Sequence, residues 1–142
     1  MTAPVRERHE AREIAFRAMY QSDVTGEPLS RCLEEILEEA QGPPPAGTFA
    51  RDLVGLLATH REEVDAAIAR VSRNWPIGRM AATDRSVLRV ATVELYHVFD
   101  TPVRVVLDEA IEIAKKYGME SSGAFVNGIL DRLAHEARPS GR

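Results

Sequence analysis

An all-α fold, a compact bundle of short amphipathic helices, is what this sequence predicts, and three observations carry the prediction. Apolar residues recur at helical spacing along almost the whole chain and nowhere alternate as strands do. Proline and glycine clusters cut the 142 residues into segments of helical length. The composition, 44% hydrophobic and 28% charged, is that of a globular domain. At this length a single domain is expected.

The first helix shows Ala11, Ile14, Ala15, Ala18 and Met19 at i, i+3, i+4, i+7 and i+8. Leu29, Leu33, Ile36, Leu37 and Ala40 mark a second, with Ser30 as N-cap or first residue. Gln41-Gly42-Pro43-Pro44-Pro45 ends it and is expected to be a loop, because successive amide donors are missing and each ring restricts the residue before it. Periodicity then runs from Thr48 to Asn74, as two helices or one bent helix, with Thr59-His60-Arg61-Glu62 in the form of a capping box. Trp75-Pro76-Ile77-Gly78 interrupts the pattern. Val87, Leu88, Ala91, Leu95, Val98 and Phe99 form the apolar face of the next helix, which Asp100-Thr101-Pro102 should end. Val106, Leu107, Ala110, Ile113, Ala114 and Tyr117 form another. Its last turn holds Lys115 and Lys116, and Gly118 beyond them is a candidate left-handed C-cap. Phe125, Val126, Ile129, Leu130 and Leu133 mark the last. These roughly six or seven helices must pack on one another, since each has a stripe to bury.

Charge narrows the partner classes. Lys and Arg number 18 against 22 Asp and Glu, for a net −4, so the chain is not coated in positive charge. The deficit is local: residues 21–47 hold one Arg and six acids, residues 1–20 hold four Arg and three Glu, and the rest balances. Within the acidic stretch Glu34, Glu35, Glu38 and Glu39 read as a solvated helix face. Of the basic residues 16 are Arg, a bias that suits phosphate contacts and base stacking and that GC-rich coding would also produce. The single cysteine, Cys32, excludes an internal disulfide and a thiolate zinc cluster. No apolar run reaches the roughly 18 residues a membrane span needs. Met1 to Arg8 lacks the apolar core of a signal peptide, so a cytoplasmic location without membrane contact is expected.

Catalytic patterns are missing. The sequence has no G-x-x-x-x-G-K, G-x-G-x-x-G or G-x-S-x-G motif. His9, His60, His97 and His135 lie far apart and read as solvent or boundary histidines. Glu109 and Glu112 form an i, i+3 carboxylate pair without the Glu-x-x-His partners of a helical metal site, and read as surface acids. Glu94 falls on or beside an apolar stripe, where an ionised carboxylate is costly unless paired. Arg85, Arg89 or an arginine of another helix should pair with it. No enzyme activity, cofactor or metal is expected.

Two stretches carry a binding signal. Arg8, Arg12, Phe16 and Tyr20 repeat every four residues, about 40° apart around a helix, so two guanidiniums and two rings share a flank. Arginine for phosphate and a ring for base stacking is the combination that single-stranded RNA asks of a protein, and Arg6 extends the basic end. In the competing reading Phe16 is core, and Arg8 and Arg12 pair with Glu7, Glu10 or Glu13. The second stretch runs from Lys115 through Tyr117 and Gly118 to Ser121 and Ser122. A cationic helix end there precedes a hydroxyl-rich N-terminus whose free amides can accept a phosphate. Asn127-Gly128, both poor helix formers, point to close helix packing at Gly128 and to a buried, hydrogen-bonding Asn127 near the site.

These residues also carry a resemblance. Val105-Val106-Leu107-Asp108-Glu109-Ala110-Ile111-Glu112-Ile113-Ala114-Lys115-Lys116-Tyr117-Gly118, followed by Phe125-Val126-Asn127-Gly128-Ile129-Leu130-Asp131, resembles the C-terminal signature of the NusB family of bacterial transcription antitermination factors. Ala11 to Ala15 with Met19-Tyr20, and Asp84 to Ala91 with Glu94-Leu95, agree with it in order along nearly the whole chain. The resemblance implies seven helices in two subdomains, about 1–75 and 79–137, with a short tail at 138–142, and no catalysis. It implies binding to the boxA element of ribosomal RNA leader transcripts and a heterodimer with NusE, a small-subunit ribosomal protein. The pair would act with other Nus factors on RNA polymerase to support ribosomal RNA synthesis. By position, the RNA surface would comprise Arg6, Arg8, Arg12, Tyr20, Lys116, Tyr117, Ser121, Ser122, Phe125 and Asn127, and Asp84 would face NusE.

The chain departs from the family pattern where His9 and Glu10 interrupt the N-terminal arginines and where Ala124 replaces a frequent lysine. Each lost phosphate contact removes about 0.7 from the salt slope for single strands, so unaided RNA binding should be weak and NusE should complete the site. Two other readings compete. One is a protein-interaction module or homodimer with little direct RNA contact. The other is an RNA methyltransferase, because the same helical domain precedes a catalytic domain in ribosomal RNA cytosine methyltransferases; no cofactor-binding segment follows it here.

Overall fold

The computed structural model describes residues 5–40 and 44–140. Six α-helices follow one another: α1 Val5–Thr25, α2 Leu29–Ala40, α3 Pro44–Val71, α4 Ala82–His97, α5 Val103–Tyr117 and α6 Ser122–Ala137, with a 3-10 turn at Ile77–Arg79 before α4. Backbone angles at His60 (φ −109°, ψ 20°) leave the helical region, so α3 is two helices joined at a break. Counting its arms separately gives the expected seven. No described residue lies in a strand.

Local chemistry places the ends. Gly26, at φ 79°, takes the left-handed conformation that closes α1, and its N–H donates to Ser22 O at 2.8 Å. α2 begins at Leu29, so Ser30 lies inside the first turn and does not cap it. Pro44 and Pro45 correct the loop reading: they open α3, where the first amides have no intrahelical acceptor and a missing N–H costs nothing. Gln41 to Pro43 lie outside the described residues. The break in α3 falls where the capping box was read, by a different device. Thr59 Oγ1 donates back to Gly55 O at 3.0 Å, a bond to the preceding turn that bends helices, and caps nothing.

α4 is the centre of the bundle. Every residue from Ser86 to Leu95 is buried, and α1, α3, α5 and α6 all pack against it. α1 meets α4 through Arg12, Phe16 and Asp23, which face Glu94, Ala91 and the Arg85–Arg89 pair, while Ala11, Ala15 and Ala18 are buried in the same core. A single apolar cluster drawn from all six helices runs across the junction near residues 76–78. Phe99 departs from the sequence reading: it lies beyond the end of α4 and is 64% exposed. Arg138 departs more sharply, because the expected tail begins with a buried residue. Its guanidinium donates to the carbonyls of Leu95 (2.9 Å), Val98 (2.8 Å), Glu94 (3.0 Å) and Thr101, closing the C-terminal end of α4. Burial pulls its pKa below the ordinary arginine value.

Two glycines exchange roles. Gly118 sits at φ −97°, not left-handed, and is glycine for space: a Cβ there would lie 2.5 Å from Ser122 Oγ and 2.7 Å from Ala114 O. Gly128 is exposed with nothing within 4 Å of a built Cβ, so it does not mark close packing. Gly123 does, against the stem of Lys115 at 3.2 Å. No helix among the described residues is long and apolar enough to cross a membrane.

Candidate nucleic-acid interface

The arginines of α1 divide by depth. Arg12 is 4% exposed, and its guanidinium grips Glu94 (1% exposed) through Nε and Nη2, both at 2.8 Å, and reaches Glu109 at 3.3 Å. Glu94 thus has its expected arginine, from α1. Arg85 and Arg89 turn instead to Asp23 (2.6 Å and 3.4 Å), and Arg89 also to Asp65 (2.9 Å). Arg12 is therefore no surface contact: an ionised Glu94 in the core needs the guanidinium that the RNA reading assigned outward. Arg8 is half-way in. It donates to Thr101 Oγ1 and Asp100 Oδ2, each at 2.9 Å, and its guanidinium lies 4.4 Å above the Phe49 ring. Arg6 remains open to solvent, with Glu10 at 3.9 Å.

Phe16 is core, at 2% exposure, and it is also the hinge that joins the two predicted stretches. Its ring lies 6.3 Å from Tyr20 and 4.9 Å from Tyr117, so the α1 flank and the end of α5 form one aromatic surface. Tyr20 (38% exposed) and Tyr117 (37%) show their rings there. Together with Arg17, Gln21, Val24, Thr25, Ile36 and Thr83 they line a groove. Glu13 fastens the two helices: Lys116 Nζ lies 3.0 Å from both its oxygens, and Tyr117 OH donates to it at 2.8 Å. Burial alone would raise the Glu13 pKa, but the hydrogen bonds from Lys116 and Tyr117 outweigh it and hold the carboxyl below its ordinary value. The same bond raises Lys116, and burial followed by the Glu13 bond raises Tyr117.

The remaining predicted residues separate. Ser121 is exposed at the start of α6. Ser122 is buried, its Oγ accepting the Met119 N–H at 2.9 Å, so its hydroxyl serves the α5–α6 turn. Asn127 is exposed, which corrects the buried reading, because it falls on the outer face of α6. Phe125 is half-buried in a second groove that shares no lining residue with the first. Trp75, Arg73 and Arg132 line that groove too. Asp84 lies in the first turn of α4, next to Thr83 of the Tyr20 groove; its Oδ1 is buried and has no hydrogen-bond partner among the described residues.

The grooves also hold two residues that the sequence pattern does not single out, Arg17 and Trp75. Arg17 lies one position off the every-fourth-residue pattern, on the exposed side of α1. Trp75 reads as punctuation in a Trp-Pro step, yet at 49% exposure its ring is presented beside Arg73. Aromatic–arginine adjacency, as in Arg73-Asn74-Trp75, is the signal that marks it in the sequence.

Comparison with known proteins follows the same lines. The NusB family model matches residues 9–135. Transcription antitermination protein NusB of Geobacter sulfurreducens is 47% identical over 124 residues, covering 87% of this chain and 90% of that protein. Its counterpart in Anaeromyxobacter dehalogenans is 47% identical over 136 residues, 95% of each chain. Among solved structures, T. maritima NusB superposes with a TM-score of 0.89 at 41% identity, covering 99% of this chain and 98% of that one. The NusB chain from a crystal structure of antitermination factors NusB and NusE in complex with dsRNA gives 0.86 at 30% identity, covering 94% and 99%. The family match over residues 9–135, the relatives at 47% identity and the superposition over almost the whole chain agree, and the chain belongs to the NusB family.

Proposed function

We propose that this chain is a transcription antitermination factor that binds boxA-type RNA jointly with NusE and, with other Nus factors and RNA polymerase, supports ribosomal RNA synthesis. It acts in the cytoplasm, without catalysis of its own. The observation that carries the reading is the aromatic surface where α1 meets α5: Tyr20 and Tyr117 open to solvent, with Arg17 and Lys116 beside them. Rings for bases and cations for phosphates is the chemistry of single-stranded RNA binding. Asp84, half-buried in the first turn of α4 beside Thr83 of the same groove, is the acidic position that would face NusE. A relative of 30% identity crystallised with NusE and dsRNA supports both halves.

Fluorescence anisotropy with a boxA-like RNA, with and without NusE at two salt concentrations, tests this. Preference over a scrambled RNA, rising with NusE and falling with salt, is expected; equal binding of both RNAs sinks the sequence-specific role. A second reading, an interaction module with little RNA contact, is favoured by the internal engagement of Arg8 and Arg12. It predicts that Tyr20→Ala and Lys116→Ala leave RNA recruitment by the complex unchanged, and that sedimentation finds a dimer.

A further inference from the structure

The fold gathers three residues that the sequence scatters. His60 and Glu63 stand at i, i+3 across the break in α3, and His97 is the last residue of α4, 34 positions beyond Glu63. His97 Nε2 lies 2.9 Å from Glu63 Oε1, and His60 Nδ1 lies 3.7 Å from Glu63 Oε2. The imidazole rings stack, with centroids 3.8 Å apart and planes 17° from parallel. One ligand atom from each residue falls within 4.8 Å of the other two.

We propose that His60, Glu63 and His97 bind one divalent transition-metal ion of the zinc class, with the fourth position left to water. A tetrahedral ion with ligands at about 2.0–2.1 Å sets its donor atoms about 3.3 Å from one another. His97 Nε2 and Glu63 Oε1, 2.9 Å apart, are within a few tenths of an ångström of that spacing, and His60 Nδ1, 3.7 Å from the other oxygen, has to swing toward the shared one. Two imidazoles and one carboxylate select zinc, cobalt or nickel over magnesium or calcium, which take oxygen ligands. The rings are half-buried, so their positions are held by packing, while Glu63 faces solvent and leaves an entry path. Nearly parallel imidazoles direct their lone pairs side by side, so closing on an ion must open the ring planes. His60, at the helix break, is the residue whose backbone is already outside the helical ladder. The ion would tie the break in α3 to the end of α4.

A second cluster, His9 with Glu109 and Glu112, sets the contrast. There the Arg12 guanidinium lies 3.3 Å from Glu109 and opposes a cation. The two clusters therefore give opposite expectations in one experiment. The full chain, stripped with a chelator, is titrated with Co²⁺ and followed by its visible d–d absorption, then with Zn²⁺. One equivalent of Co²⁺ should bind in a low-symmetry site and be displaced by Zn²⁺. His97→Ala and Glu63→Gln should each weaken binding at least tenfold, and His9→Ala and His135→Ala should leave it unchanged. Zn²⁺ should raise the thermal midpoint of the parent chain but not of His97→Ala, with metal-free midpoints establishing that each variant folds. Absence of the Co²⁺ spectrum, its persistence in His97→Ala and Glu63→Gln, or its loss in His9→Ala would each overturn the proposal.

Discussion

Arg12 and Lys116 both meet a glutamate, and the two meetings do different work. Arg12 and Glu94 have side chains 5% and 1% exposed, between α1 and α4. Lys116 and Glu13 are 60% and 25% exposed, between α5 and α1. The first pair lies where water cannot replace either member, so it holds the bundle together and is closed to ligands. The second exchanges with solvent and can give its lysine to a phosphate. A cation's depth, more than its place in a motif, decides whether it serves the fold or the partner.

The comparison breaks hardest at Arg12. Arg12→Ala should destabilise the fold by about 3–5 kcal/mol, because Glu94 is left charged and unpaired in the core. Adding Glu94→Leu to Arg12→Met should recover most of it by replacing the pair with apolar volume. Chemical denaturation measures both, and a small loss in Arg12→Ala alone would remove the distinction drawn between the pairs. Next in size is Gly118→Ala, expected to cost about 1–3 kcal/mol as the added methyl forces Ser122 and the Ala114 carbonyl apart.

The exposed pair should respond in binding. Lys116→Ala should weaken RNA binding several-fold and lower the salt slope by about 0.7. Glu13→Gln should strengthen it, since the carboxylate competes with phosphate for the same ammonium. Acid reads the same link. With the Glu13 pKa lowered in the fold, its stabilising contribution is present in full above the ordinary value of 4.5 and is lost as pH falls through the lowered one. Stability measured against pH should lose part of its acid limb in Glu13→Gln. Smallest is Gly128→Ala, with open space around it, which should stabilise the fold by about 0.5–1 kcal/mol.

The parts legible in sequence were those with a local signature. Apolar spacing gave helices in the right order, and Glu94 announced its need for an arginine by its place on a stripe. Which arginine answered was not legible, because α1 and α4 meet only through tertiary packing and Arg85 and Arg89 are nearer in sequence. Pro44 and Pro45 fit a loop and a helix start equally, since both lack the amide. Gly118 and Gly128 look alike as residues and differ only in what neighbouring backbone comes within reach. For the site, Tyr20 was singled out by the pattern and Tyr117 by the conspicuous end of its helix, and both rings lie at the surface. Their union through Phe16 needed the fold, because the helices that carry them lie about a hundred residues apart in the chain.

The guanidinium that completes the end of α4 comes from 37 to 44 residues downstream of the carbonyls it serves. A single-domain bundle folds as a unit, so the end of α4 is complete only when the residue after α6 is in place. Without Arg138 the Leu95 carbonyl loses its guanidinium donor, whereas those of Glu94 and Val98 keep the N–H groups of Val98 and Thr101. The end of α6 therefore locks the last turn of the helix at the centre of the bundle, and fraying at the one would loosen the other.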